Sequence, residues 1–135
     1  MREMLALLLA FAPAALAGTP TDLLGDYETQ ARREDAAFVG SSAERGGQFY
    51  RRSASASGRG AASCASCHSP DPLLSGRHAR TGKAIAPLAP AANPDRLTDP
   101  AKTEKWFGRN CRDVLGRECT AREKADFVRY LTDAR

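Results

Sequence analysis

The 135 residues of the chain are about one domain's worth of material. A net charge of +4, from 20 Lys and Arg against 16 Asp and Glu, is too small and too evenly mixed for a nucleic-acid-binding surface; it suits contact with an acidic protein partner.

The chain opens with MREMLALLLAFAPAALA: Arg2 near the start, an apolar run from Met4 to Ala12, Pro13, and Ala15-Leu16-Ala17 ahead of Gly18. That order predicts a signal peptide over residues 1–17, cleaved after Ala17, and a periplasmic protein beginning at Gly18. Its apolar run is shorter than the roughly 20 residues of a membrane span, and no later stretch approaches that length, so a soluble product is expected. Taking seventeen residues from 135 leaves 118 as one domain, and because Arg2 and Glu3 leave together the charge stays +4. From residue 18 onward Leu, Ile, Val and Phe number only 16, about 14%. So thin a core predicts a bulky apolar cofactor that brings its own buried surface.

A first helix is predicted over TDLLGDYETQARRE, with Leu23, Leu24 and Tyr27 at helical spacing, Thr21 as the cap and Pro20 just outside. Ser41-x-x-Glu44 reads as the capping box of a short second helix closed by Phe49 and Tyr50. Residues 53–63, SASASGRGAAS, read as a flexible loop.

Cys64-Ala65-Ser66-Cys67-His68 follows. Two thiols three positions apart can add to the two vinyl groups of a haem, and the histidine after them falls under the iron, which is the pattern of c-type attachment. In bacteria such attachment takes place in an exported compartment, and the signal peptide supplies that destination. The alternatives fit less well. A thioredoxin-like redox pair wants a preceding strand, which is missing from the pattern. A zinc site of Cys64, Cys67, Cys111 and Cys119 has seven residues inside its second pair, where zinc knuckles have two to four. A Cys64–Cys67 disulfide closes a small strained ring.

Pro70 and Pro72 stop any long helix after the motif, and TGKAIAPLAP, Thr81 to Pro90, reads as a wrapping loop with Ile85 and Leu88 facing inward. Asp99-Pro100 starts a helix expected to reach about Phe107, ahead of Gly108. Thr120-x-x-Glu123 caps the last helix, where Phe127, Tyr130, Leu131 and Ala134 form an apolar stripe expected to serve the core. With no alternating strands, the expected architecture is all-α and class I cytochrome c-like: four or so short helices and long loops around one covalently attached haem c.

The far side of the iron is the open question. Electron-carrying c-type cytochromes commonly use a methionine thioether there, but both methionines, Met1 and Met4, lie in the predicted signal peptide. His78 is the one histidine besides His68, ten residues on in a Gly- and Arg-rich loop, where a solvated role is the simpler reading. A lysine would first have to lose its proton. An open position or an oxygen ligand remains.

The stretches TGKAIAPLAP, NPDRLTDP, EKWFGRNC and LGREC resemble the oxygen-binding bacterial cytochromes c of the sphaeroides haem protein (SHP) class, a likeness covering nearly all of the chain after residue 17. The resemblance implies that Cys64, Cys67 and His68 hold the haem, that Asn110 of GRNC is its distal ligand, and that Cys111 and Cys119 form a disulfide. A bridge there closes a nine-residue loop, worth roughly 2.5 kcal/mol on the chain-entropy model. An amide oxygen is a hard ligand that suits ferric iron better than ferrous, so reduction is expected to free the sixth position for O2, NO or CO. The resemblance further implies a dihaem cytochrome c and a membrane cytochrome b as electron donors, and a protein that either carries electrons or reacts with the gas as an oxidase or NO-consuming enzyme. The alternative is a conventional shuttle whose distal ligand, His78, never leaves. Lys83, Arg96, Lys105 and Arg109 are the cations near these motifs that a haem propionate could meet.

Overall fold

The computed structural model of the chain describes residues 18–53 and 63–135. The predicted signal peptide and most of the predicted 53–63 loop lie outside these residues. The described elements, in order, are α1 (Pro20–Glu34), α2 (Ala43–Arg51), α3 (Cys64–His68), β1 (Gly76–Arg77), β2 (Ala84–Ile85), α4 (Pro100–Leu115) and α5 (Ala121–Asp133). The all-α expectation holds apart from one antiparallel pair of two-residue strands, in which Gly76 faces Ile85 and Arg77 faces Ala84. None of these helices is long and apolar enough to cross a membrane.

Helix α1 starts two residues earlier than its sequence suggests. The cap is Thr19, whose hydroxyl accepts from Asp22 N at 3.1 Å while the Asp22 carboxylate accepts from Thr19 N at 2.9 Å. Pro20 is therefore the first helical residue, where its missing N–H costs nothing. Ser42, not Ser41, caps α2; the Ser41 hydroxyl instead donates to Glu28 at 2.5 Å. As expected, Phe49 and Tyr50 lie in the last turn of α2, and both are buried.

Both α1 and α2 pack on α5. Where α2 crosses α5, a Cβ on Gly46 would stand 2.6 Å from the Asp126 carbonyl carbon and 2.7 Å from Tyr130 Cβ, so only a hydrogen fits. The crossing is locked by buried Asp126, which accepts from Arg45 Nε and Nη2, both at 2.8 Å, and from Ser42 N at 2.7 Å.

Helix α4 departs most from expectation. Asp99 and Pro100 start it as predicted, but it continues through Gly108 to Leu115 and stops at Gly116, which takes the left-handed φ of 69°. One helical glycine costs only about 1 kcal/mol against alanine, and the buried side chains Phe107 and Cys111 on either side of it outweigh that. Asn110, past the expected end of the helix, thus lies within it. Helix α5 begins with the predicted Thr120–Glu123 capping box. The expected stripe holds in part: Leu131 is buried and Phe127 packs against the core, both also bordering a cavity, Tyr130 lies against Tyr50, and Ala134 falls beyond the helix as its cap, while Ala121, Ala125 and Val128, outside that stripe, complete the core. Edge-on aromatic contacts join the helices, Tyr27 to Phe107 at 5.8 Å, Phe107 to Phe127 at 5.4 Å and Phe49 to Phe127 at 6.2 Å.

Candidate functional site

The CASCH motif is itself a single helical turn. Ser63 caps it, its Oγ accepting from Ser66 N at 3.2 Å, and Ser66 Oγ in turn accepts from Ser63 N at 2.7 Å. That Ser-x-x-Ser capping box is visible in the sequence and is the signal that marks the motif as helical. The turn ends at Ser69, whose φ of 72° is rare for a side-chain-bearing residue. Fully buried Tyr50 holds it there, its hydroxyl placed to donate to the Ser69 carbonyl at 2.5 Å and the His68 carbonyl at 3.1 Å. From the other side Gly76 presses so closely that a Cβ would fall on the Cys67 carbonyl oxygen and 2.6 Å from His68 Cα.

Cys64, Cys67 and His68 border a cavity of about 570 Å³, in the size range of cofactor sites. Phe107, Asn110, Cys111 and Val114 of α4 border it as well, as do Phe127 and Leu131 of α5. Ile85 and Leu88 of the wrapping loop reach it as predicted, both half-buried. These four α4 residues fall at i, i+3, i+4 and i+7, a periodicity that could have carried the predicted helix through Gly108.

The donor set fits a covalently bound haem. Both thiols of α3 are free, while Cys111 and Cys119 are joined by a disulfide with Cα atoms 5.7 Å apart. Burial pushes the Cys64 thiol up to about 11. Burial, with the positive charges of Arg96 and His78, brings His68 down to about 4, so its imidazole is neutral and keeps a lone pair for a metal. His68 Nδ1 is buried and has no hydrogen-bond partner among the described residues. Asn110 is half-buried on the cavity wall, and its side-chain amide makes no hydrogen bond among the described residues.

His78 also borders the cavity, so it is not simply solvated. Its Nδ1 accepts from Thr81 N at 3.2 Å. Two residues before His78, however, Gly76 lies against the backbone of α3. Of the four candidate propionate partners, Lys83, Arg96 and Arg109 reach the cavity and Lys105 does not.

Helix α4 is tied to the rest by side chains. Glu104 accepts from Tyr27 Oη at 2.6 Å and from Lys124 Nζ at 2.9 and 3.0 Å. Lys124 is only 8% exposed and stands over the rings of Tyr27 and Phe107. Burial and the Glu104 carboxylate both push the Tyr27 hydroxyl well above its usual range, so it stays a donor.

Known proteins resemble this chain in sequence and fold. A family described as "Domain of unknown function (DUF1924)" matches residues 36–131. The cytochrome c-type protein SHP of Cereibacter sphaeroides is 44% identical over 133 residues, which cover 97% of this chain and 98% of that protein. The structure of oxidised SHP, an oxygen-binding cytochrome c, aligns with a TM-score of 0.76 at 43% identity over 85% of this chain and 96% of the other. The solution structure of cytochrome c'' from Methylophilus methylotrophus, solved for insight into haem-ligand detachment, aligns with a TM-score of 0.77 at 36% identity over 86% and 94% of the two chains.

Proposed function

The chain belongs to the SHP family of c-type cytochromes, and on that premise we propose that it binds O2, NO or CO at a haem whose distal ligand, Asn110, departs on reduction. Cys64 and Cys67 hold the haem through thioethers, and His68 is the proximal ligand. Residues 18–135 form the monohaem domain, exported to the periplasm after cleavage behind Ala17, and other cytochromes, a dihaem cytochrome c and a membrane cytochrome b, supply its electrons. Haem supplies a redox-active iron with a sixth coordination position. Asn110 offers that position a neutral amide oxygen, a hard donor better matched to the ferric than to the ferrous ion.

The observation that carries this reading is that Asn110 and His68 border one cavity from different helices, in a chain with no methionine after residue 4. Two relatives lend support: one is an oxygen-binding cytochrome c, and the other was studied for haem-ligand detachment. A second reading, a conventional electron shuttle with His78 as permanent ligand, draws on the position of His78 at the same cavity. The closeness of His78 in the chain to Gly76, which packs on α3, disfavours that reading.

The test is the absorption spectrum of the reduced holoprotein before and after adding CO. A CO-dependent change is expected; a ferrous form that remains six-coordinate and ignores CO leaves the shuttle reading in place. Asn110→Ala should keep its haem and turn the ferric iron high-spin or water-ligated. An unaltered ferric spectrum would remove Asn110 from the role.

A further inference from the structure

Arg96 is a cavity-wall cation with no counter-ion among the described residues. It is half-buried there, and burial lowers its pKa. Its Nε donates to the Pro87 carbonyl at 2.9 Å and its Nη2 to the Ala86 carbonyl at 2.8 Å, which pins the wrapping loop against the turn before α4. A guanidinium has five N–H donors, so these two bonds leave the Nη1 edge unused. No carboxylate lies within ion-pair distance of Arg96 among the described residues. A half-buried charge without a counter-ion is unfavourable.

The backbone beside it is strained toward the same wall. Leu97 has a φ of 62°, in the left-handed region that side-chain-bearing residues seldom occupy. Its side chain packs on the core and borders the cavity. The other charged groups of the wall are accounted for differently. Arg109 leans over Trp106 at 5.7 Å and faces Asp113 at 4.0 Å. Asp99 caps α4. Lys83, Lys102 and Asp95 are exposed.

On the reading that this cavity holds haem, we propose that Arg96 anchors a haem propionate. The Nη1 edge donates to the carboxylate, while Nε and Nη2 hold the Ala86–Pro87 wall. The guanidinium then keeps that propionate ionised, because an adjacent cation stabilises the charged form of a carboxylate.

The experiment compares haem-loaded wild type with Arg96→Gln, Arg96→Lys and the wall control Lys102→Gln. Propionate methylene proton shifts and the haem reduction potential are followed from about pH 4 to about pH 9. In wild type one propionate is expected to stay ionised throughout. In Arg96→Gln its pKa rises by about one to three units into the window. The potential then falls as pH rises through that window, because the ferric haem, with its extra positive charge, favours the ionised carboxylate. Arg96→Lys keeps the charge and hence the ionised propionate, although it loses the planar fork on the two carbonyls. Lys102→Gln should titrate like wild type.

The proposal is overturned if both propionates of wild type titrate within the window. It is equally overturned if Arg96→Gln titrates as wild type does. The first result needs no variant, so a poorly folding Arg96→Gln does not protect the idea. A preparation without c-type absorbance overturns the haem reading itself, and is recognised before any titration begins.

Discussion

His68 and Asn110 meet one cavity from walls that are built differently. The wall of His68 is clamped at its backbone: Gly76 lies on Cys67 and His68, and the Tyr50 hydroxyl ties the carbonyls of His68 and Ser69. The wall of Asn110 hangs on side chains: Phe107 between Tyr27 and Phe127, Glu104 on Lys124, and the Cys111–Cys119 bridge. The proposed permanent ligand stands on the first kind of wall and the proposed displaceable ligand on the second.

Gly76→Ala strikes the clamped wall and should have the largest effect. Its new Cβ meets backbone that cannot move aside, so a loss of about 3 kcal/mol or more is expected, read by thermal unfolding together with haem content. A variant of wild-type stability would erase the contrast between the walls. Removing the bridge with Cys111→Ser and Cys119→Ser should cost roughly 2.5 kcal/mol and alter gas-release kinetics more than haem content, measured by stopped flow and denaturant unfolding. If neither changes, the bridge is no tether of α4. Glu104→Gln leaves buried Lys124 without its counter-charge; about 2 kcal/mol should be lost, with the ferric spectrum more sensitive than haem retention.

The smallest effect belongs to acid. Burial alone would raise Glu123, but Arg117, the Thr120 amide and Arg52 outweigh it and bring the carboxyl from its ordinary 4.5 to about 2. A depressed folded-state pKa stabilises the fold above the unfolded value, and that contribution fades as pH falls from about 4.5 through about 2. Urea unfolding across that range should show the loss, and Glu123→Gln should flatten it. Because Glu123 bonds Arg52 at the end of α2 and Arg117 in the link from α4 to α5, both walls should feel the change.

Where chemistry was written in residue types, the sequence was readable. CASCH names its own cofactor class, and the Pro100 start and the Thr120–Glu123 box lie where the sequence places them, because each depends on groups within one turn. The errors arose where two local signals competed. Thr19 and Thr21 flank a proline, and the missing N–H of Pro20 favours the earlier cap. Gly108 looks like a helix end, yet burial of Phe107 and Cys111 carries α4 to Gly116. The stripe of α5 serves core and cavity together, a division that depends on partners far away in the chain. Arg96 stands out in the sequence as one of four candidate cations, but its bonds to the Pro87 and Ala86 carbonyls, nine and ten residues away in an irregular loop, do not.

Because α2 offers two successive glycines to α5, recognition at that junction is one-sided: Gly46 and Gly47 form a smooth channel, and Asp126 and Tyr130 bring the shape that fills it. An inserted residue ahead of Gly46 would rotate the channel by about 100°, turning bulk toward the tyrosine. Length changes inside this segment are therefore far less tolerable than most replacements on the outer surface of the same helix.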